Sequence, residues 1–171
     1  MKDFIQLPDT VHDYATYSGV TAGDGTETID GDFDTFWKAH AGRSGSCSMK
    51  SLHEFSSVRT LKRIVFKFNY VTSSTAGDPA NTSGGGATVY IYRDGAWELI
   101  FSKTDSTSGT QTKTSGITTE VIETTYERAE QIYGYLYGSN SNAGGAGDGY
   151  NDCWFYEIQA YGDSLDYATI I

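Results

Sequence analysis

Lys62-Arg63-Ile64-Val65-Phe66-Lys67-Phe68-Asn69-Tyr70 carries the clearest sign of the fold class. Its side chains sort by alternation: Ile64, Phe66, Phe68 and Tyr70 fall on one face, Val65, Lys67 and Asn69 on the other. Successive residues of an extended chain point to opposite sides, so this pattern reads as a half-buried β-strand. Working outward, residues 88–92 alternate in the same way, Arg93-Asp94-Gly95 supplies turn chemistry, and 97–101 returns as a second run. Together they predict a β-hairpin. Further strands are expected at 131–137 and at 154–161, the latter stopped by Gly162, with weaker ones at 14–20, 48–55 and 117–124. No segment sustains a long 3.6-residue period, and the helical candidate near 126–131 is too short to stand alone.

Composition agrees. The 171 residues include 13 Tyr and 8 Phe, residue types suited to a pleated surface. A chain of this length is expected to bury one continuous core, so a single domain is assigned to 14–162, with an arm at 1–13 and a tail at 163–171. Three long segments rich in Gly, Ser, Thr and Asn, at 71–87, 104–116 and 138–152, read as loops between strands.

The formal charge is −10, from 12 Lys and Arg against 22 Asp and Glu, so a polyanion meets net repulsion and nucleic acid is not an expected partner. The first eight residues lack the apolar run of a signal peptide, and no later stretch has the length of a membrane span, so no membrane insertion is expected. The abundance of Gly, Ser and Thr favours an extracellular or virion-surface location. Cys47 and Cys153 match no zinc spacing; one disulfide and two buried free thiols are equally compatible with the sequence. His12 and His53 have no spacing that suggests a metal site.

Asp30-Gly31-Asp32-Phe33-Asp34 packs three carboxylates into five residues, a density that costs repulsion unless a cation or solvent offsets it. An EF-hand starting at Asp30 would need Gly at its sixth position and a carboxylate at its twelfth; Thr35 and Ala41 stand there, which excludes it. There is no Ser elbow, no His-x-x-x-His and no phosphate-binding Gly loop ahead of a helix, so a binding role is expected rather than an enzyme.

The series Asp30-Gly31-Asp32, Thr35 and Trp37, then Leu61-Lys62-Arg63-Ile64, the Tyr90 to Trp97 hairpin, and the closing Tyr156-Glu157-Ile158-Gln159-Ala160-Tyr161-Gly162 resembles the discoidin or coagulation-factor type C superfamily. That galactose-binding domain-like group includes many bacterial carbohydrate-binding modules. The resemblance implies an all-β, antiparallel jelly-roll β-sandwich with a structural calcium. Carried over residue by residue, Asp30, Asp32, Thr35 and Glu157 would hold the ion, oxygen donors of the type calcium takes, and Trp37 and Trp97 would pack in the core. Sugar-binding relatives place their ligand on loops at one end, where the candidates are His40, Arg43, Asn81, Tyr150 and Asn151. Those relatives commonly carry an Arg in the loop that holds Asn81; residues 71–87 contain neither Arg nor Lys. The expected function is a non-catalytic carbohydrate-binding or adhesion module, partnered by a glycan. The alternative is a decoration or attachment protein of a virus or phage particle or another assembly. A homo-oligomer is compatible with either.

Overall fold

The computed structural model describes residues 4–6, 9–18, 20–22, 25–42, 45–74, 82–108, 111–141 and 149–163. Among these residues ten strands form: β1 Phe4–Gln6, β2 Asp9–Ser18, β3 Val20–Ala22, β4 Trp37–Ala41, β5 Ser46–Ser74, β6 Thr82–Arg93, β7 Ala96–Ser108, β8 Gln111–Thr114, β9 Thr118–Ser141 and β10 Tyr150–Asp163. Every pairing is antiparallel. A 3₁₀ turn, Thr26–Thr28, precedes β4.

The strands β5 and β9 pair along almost their whole length and carry the fold. Their register slips between Glu54 and Arg63, where Arg128 takes a left-handed φ of 60°. Beyond that irregularity the ribbon exchanges neighbours. On one side, residues 46–54 and 131–139 lie in a layer ordered β2, β5, β9, β6, β7. On the other, residues 61–74 of β5 pair with β10, which continues to β4 and β3, while the first part of β9 and β8 take the opposite edge. The result is the expected antiparallel sandwich, made of one hydrogen-bonded ribbon folded into two layers.

The deciding strand behaves as its alternation requires. Ile64, Phe66, Phe68 and Tyr70 are buried between the layers, joined from β10 by Phe155 and Ile158. Phe66 packs its ring 4.7 Å from Phe68 and 5.1 Å from Phe155. The hairpin also stands. Asp94 (φ 51°) and Gly95 (φ 80°) are both left-handed, the backbone that a two-residue turn between twisted strands demands.

The three segments read as loops are largely strand wherever they are described. Residues 82–87 extend β6, 104–108 extend β7, and 138–141 extend β9. The short helical candidate near 126–131 is likewise part of β9. Gly-rich composition suggested flexibility, but at several positions it answers a packing demand. A Cβ on Gly85 would stand 2.6 Å from the ring of Tyr70, one on Gly134 2.7 Å from the ring of Phe155, and one on Gly138 3.2 Å from Asn151. Each of these glycines lies in the first layer and each partner in the second. Aromatic rings of one layer therefore occupy the side-chain space the other leaves empty.

Several polar groups caught between the layers are paired, although Thr72 Oγ1 is buried without a hydrogen-bond partner among the described residues. Thr28 Oγ1 donates to the Gly25 carbonyl (2.7 Å), so its oxygen accepts from Ser51 (2.8 Å), and Ser51 in turn accepts from His53 Nε2 (3.0 Å). This chain of donors assigns the proton to Nε2 of His53, a core residue. Tyr70 donates its hydroxyl across the sandwich to Asp105. Cys47 and Cys153, one from each layer, are free buried thiols with sulfurs 3.4 Å apart.

Gly85→Ala is expected to lower unfolding free energy by about 1–3 kcal/mol, because the new methyl meets an aromatic ring with no room to retreat. Gly84→Ala, whose Cβ meets nothing nearer than 3.4 Å, should be near neutral. Urea denaturation of both variants measures the contrast; equal effects would mean that the segment behaves as a loop.

Candidate binding site

The Asp-rich turn folds over the outer face of the second layer. Asp30 Oδ1 accepts from the Asp32 N–H (2.7 Å), Asp32 Oδ1 from the Asp34 N–H (2.9 Å), and Asp30 Oδ2 from the Thr35 hydroxyl (2.7 Å). Gly31, at φ 81°, takes the left-handed position the turn needs and donates its N–H to Glu157 Oε2 at 3.2 Å. Glu157 reaches this place because a bulge between Phe155 and Glu157 shifts the register of β10, aligning it opposite Lys67. Lys67 donates to the Phe33 carbonyl and lies 3.5 Å from Asp34, which pins the rest of the turn.

Three of the four residues expected to hold calcium are thus linked directly: Asp30 to Thr35 by a side-chain bond, and Asp32 to Asp30 through its N–H. Glu157 joins them through Gly31. Glu157 is fully buried, and its Oε1 has no hydrogen-bond partner among the described residues. Burial pushes its carboxyl up to about 8, with Asp30 and Asp32 adding in the same direction against the opposing bonds from Gln159 and Gly31. Asp34 is solvent-exposed, with its side chain 97% accessible. Among the described residues no group of three His, Cys, Asp or Glu side chains is arranged to hold a metal by itself.

The residues expected to meet a glycan divide. Arg43 and Asn81 lie outside the described residues. His40, Tyr150 and Asn151 come together at one end of the pairing between β4 and β10, where Asp152 stands opposite His40. His40 Nδ1 is 2.8 Å from Asp152 Oδ1, and Lys38 shares that carboxylate at 3.3 Å while lying over the Trp154 ring. Tyr150 is exposed. Asn151 is fully buried, and its amide donates to the Gly45 carbonyl at 3.0 Å. Its position is set between Ala41 and Thr72 on the neighbouring strands.

A second feature lies on the outer face of the first layer. Tyr133, Tyr135 and Tyr137 of β9 alternate with the buried Ile132, Gly134, Leu136 and Gly138. Their cross-strand partners are Leu52, Lys50 and Ser48 on β5, and Tyr90, Thr88 and Gly86 on β6. Tyr90 stacks on Tyr133 with ring centres 4.7 Å apart, and Trp97 meets Tyr133 edge-on at 4.8 Å. Tyr137 covers Gly86, where a Cβ would stand 2.6 Å from its ring. Ser48, Lys50, Tyr90, Tyr133 and Tyr135 line a groove of about 470 Å³.

Trp97 therefore corrects one expectation. Trp37 is a core residue, but Trp97 is 41% exposed and belongs to the aromatic outer face. The groove residues were not singled out from the sequence. The available signal was the run Tyr133 to Tyr137 with Gly134 between two tyrosines, because same-face aromatics separated by glycine put the bulk outside.

No protein-family profile matches the chain, and no curated protein matches it. Solved structures do align. A truncated AlyQ with CBM32 and alginate lyase domains matches 95% of this chain, at 17% identity and a TM-score of 0.41; the chain spans 34% of that protein. The family 32 carbohydrate-binding module of C. perfringens NanJ, in complex with galactose, matches 88% of this chain and 93% of its own length, at 15% identity and a TM-score of 0.43. The CBM32 of AlyQ in complex with 4,5-unsaturated mannuronic acid matches 91% and 97%, at 18% identity and a TM-score of 0.37.

The Glu157 carboxyl gives a pH prediction. Its proton is held more tightly in the folded chain than in the unfolded one, so its contribution to stability is complete below the ordinary carboxylate range and is lost as pH rises through about 8. In chelator-treated protein the melting temperature should fall across that window, and Glu157→Gln should remove that part of the fall. Parallel pH profiles for the two proteins would contradict the burial argument.

Proposed function

We propose that the chain is a non-catalytic carbohydrate-binding module whose glycan lies in the tyrosine-lined groove, with a structural calcium at the Asp30 turn. The observation that carries this reading is the groove's lining: three tyrosines, one serine and one lysine. A pyranose has an apolar C–H face and an edge of hydroxyls. Tyrosine rings suit the first, while the Tyr, Ser48 and Lys50 polar atoms suit the second. Among the described residues its lining holds no Asp, Glu or His, the groups that general acid–base chemistry most often uses.

Support for calcium comes from Glu157. A buried carboxylate oxygen with no partner is costly, and a cation beside Asp30 and Asp32 would offset that cost. Calcium takes six to eight oxygens, so Asp30, Asp32, Thr35 and Glu157 would be supplemented by main-chain carbonyls. The ion would neutralise the crowded turn and tie it to β10. It plays no part in holding sugar in the groove.

Glycan-array binding followed by titration tests the first half. Tyr133→Ala should weaken the bound glycan about tenfold, or ~1.4 kcal/mol, while Tyr150→Ala should leave it unchanged. Absence of binding to every glycan, or loss confined to Tyr150→Ala, would refute the groove. For the second half, calcium added to chelator-treated protein should raise the melting temperature, since a ligand bound only by the folded state stabilises it. Asp30→Ala should abolish the rise; no rise in the parent protein would remove calcium from the account.

A further inference from the structure

We infer that the groove selects a glycan carrying a single anionic sugar, uronate, sialate or sulfate ester, whose charge is met by Lys50. The inference rests on the reading of the groove as a glycan site. Lys50 stands in mid-sheet, opposite Tyr135, with its ammonium 4.8 Å from the centre of the Tyr133 ring. That cation–π contact holds the charge at the groove wall while leaving its N–H donors free to turn outward.

The contrast with the other basic side chains is what gives Lys50 meaning. On a chain of charge −10 carboxylates are abundant, and several described cations have one. Lys38 pairs with Asp152 (3.3 Å), Arg93 with Glu98 (2.6 Å), Arg128 with Asp94 (2.9 Å), and Lys67 with Asp34 (3.5 Å). Among the described residues Lys50 has no carboxylate partner, and the groove lining contains none. Glu54, the next carboxylate on the same face of β5, is four residues along the strand, about 13 Å away at ~3.3 Å per residue, and accepts a hydrogen bond from Gln131. Among the described residues the groove thus presents one positive charge without a carboxylate partner, above an aromatic floor.

The same bookkeeping limits the ligand. One ammonium offsets one anion, and the remaining field of the protein repels any further negative charge. A glycan with an isolated acidic sugar among neutral neighbours fits both terms. A densely charged polysaccharide satisfies the first and violates the second.

A glycan array of matched pairs, each pair differing by one uronate, sialate or sulfate, provides the test, followed by titration of the best pair. The acidic member should bind about fivefold more tightly than its neutral counterpart at low salt. The advantage should shrink as salt rises and vanish in Lys50→Met, while Lys50→Arg retains most of it. Melting temperatures of both variants establish that the sheet is intact. If the neutral member binds as tightly, or Lys50→Met keeps the preference, the inference fails and the groove still stands as a glycan site. If a heparin-like polyanion binds tightest of all, the single-charge limit is wrong. If no glycan binds and Tyr133→Ala changes nothing, the underlying reading fails with it.

Discussion

Everything in this sandwich depends on how the volume of its interior is divided between the two layers. The second layer supplies the rings: Phe66, Phe68 and Tyr70 from β5, and Phe155 from β10. Protein interiors are close-packed, so wherever one layer delivers a ring the facing layer must leave room for it. The first layer answers with Gly85, Ala87, Gly134, Gly138 and Cys47, and the rings of Tyr70 and Phe155 sit where side chains at Gly85 and Gly134 would be. The same closeness brings Cys47 and Cys153 into contact and lets Tyr70 reach Asp105 across the sandwich.

That division has a consequence outside. Strand β9 keeps Ile132, Gly134, Leu136 and Gly138 inside, so its tyrosines at 133, 135 and 137 face outward. Neighbouring strands complete the surface with Tyr90, Tyr92 and Trp97, giving a sheet that is aromatic on its exterior and aliphatic, with glycines under the facing rings, on its interior. Inner glycines and outward tyrosines on β9 are two results of one packing constraint. The groove follows from it, and so does the exposure of Trp97, which by residue type alone belongs in a core.

The Asp30 turn obeys a different logic. Its shape is local: Asp30 and Asp32 each accept from a backbone N–H two residues ahead, and Gly31 supplies the left-handed bend. Such features are legible in a linear sequence because donor and acceptor are close along it. What the turn covers is not local. The bulge that aligns Glu157 beneath Gly31 arises in the pairing of β10 with β5, and it leaves Oε1 buried without a hydrogen-bond partner among the described residues.

The sequence by itself determined that the chain is built of antiparallel strands, where the deciding strand and the Asp94-Gly95 hairpin lie, and which acidic turn is crowded. These rest on period-two alternation and on contacts a few residues apart. Tertiary structure alone decided which face is inside where both faces are apolar, as in β9. Alternation defines two faces without naming the buried one, and in β9 the aromatic face lost to the glycine face because the opposite layer had already filled the space. The same reason turned Gly-rich stretches that read as loops into strands. It also brought Ser48, Lys50, Tyr90, Tyr133 and Tyr135, far apart along the chain, to one sheet face across three strands.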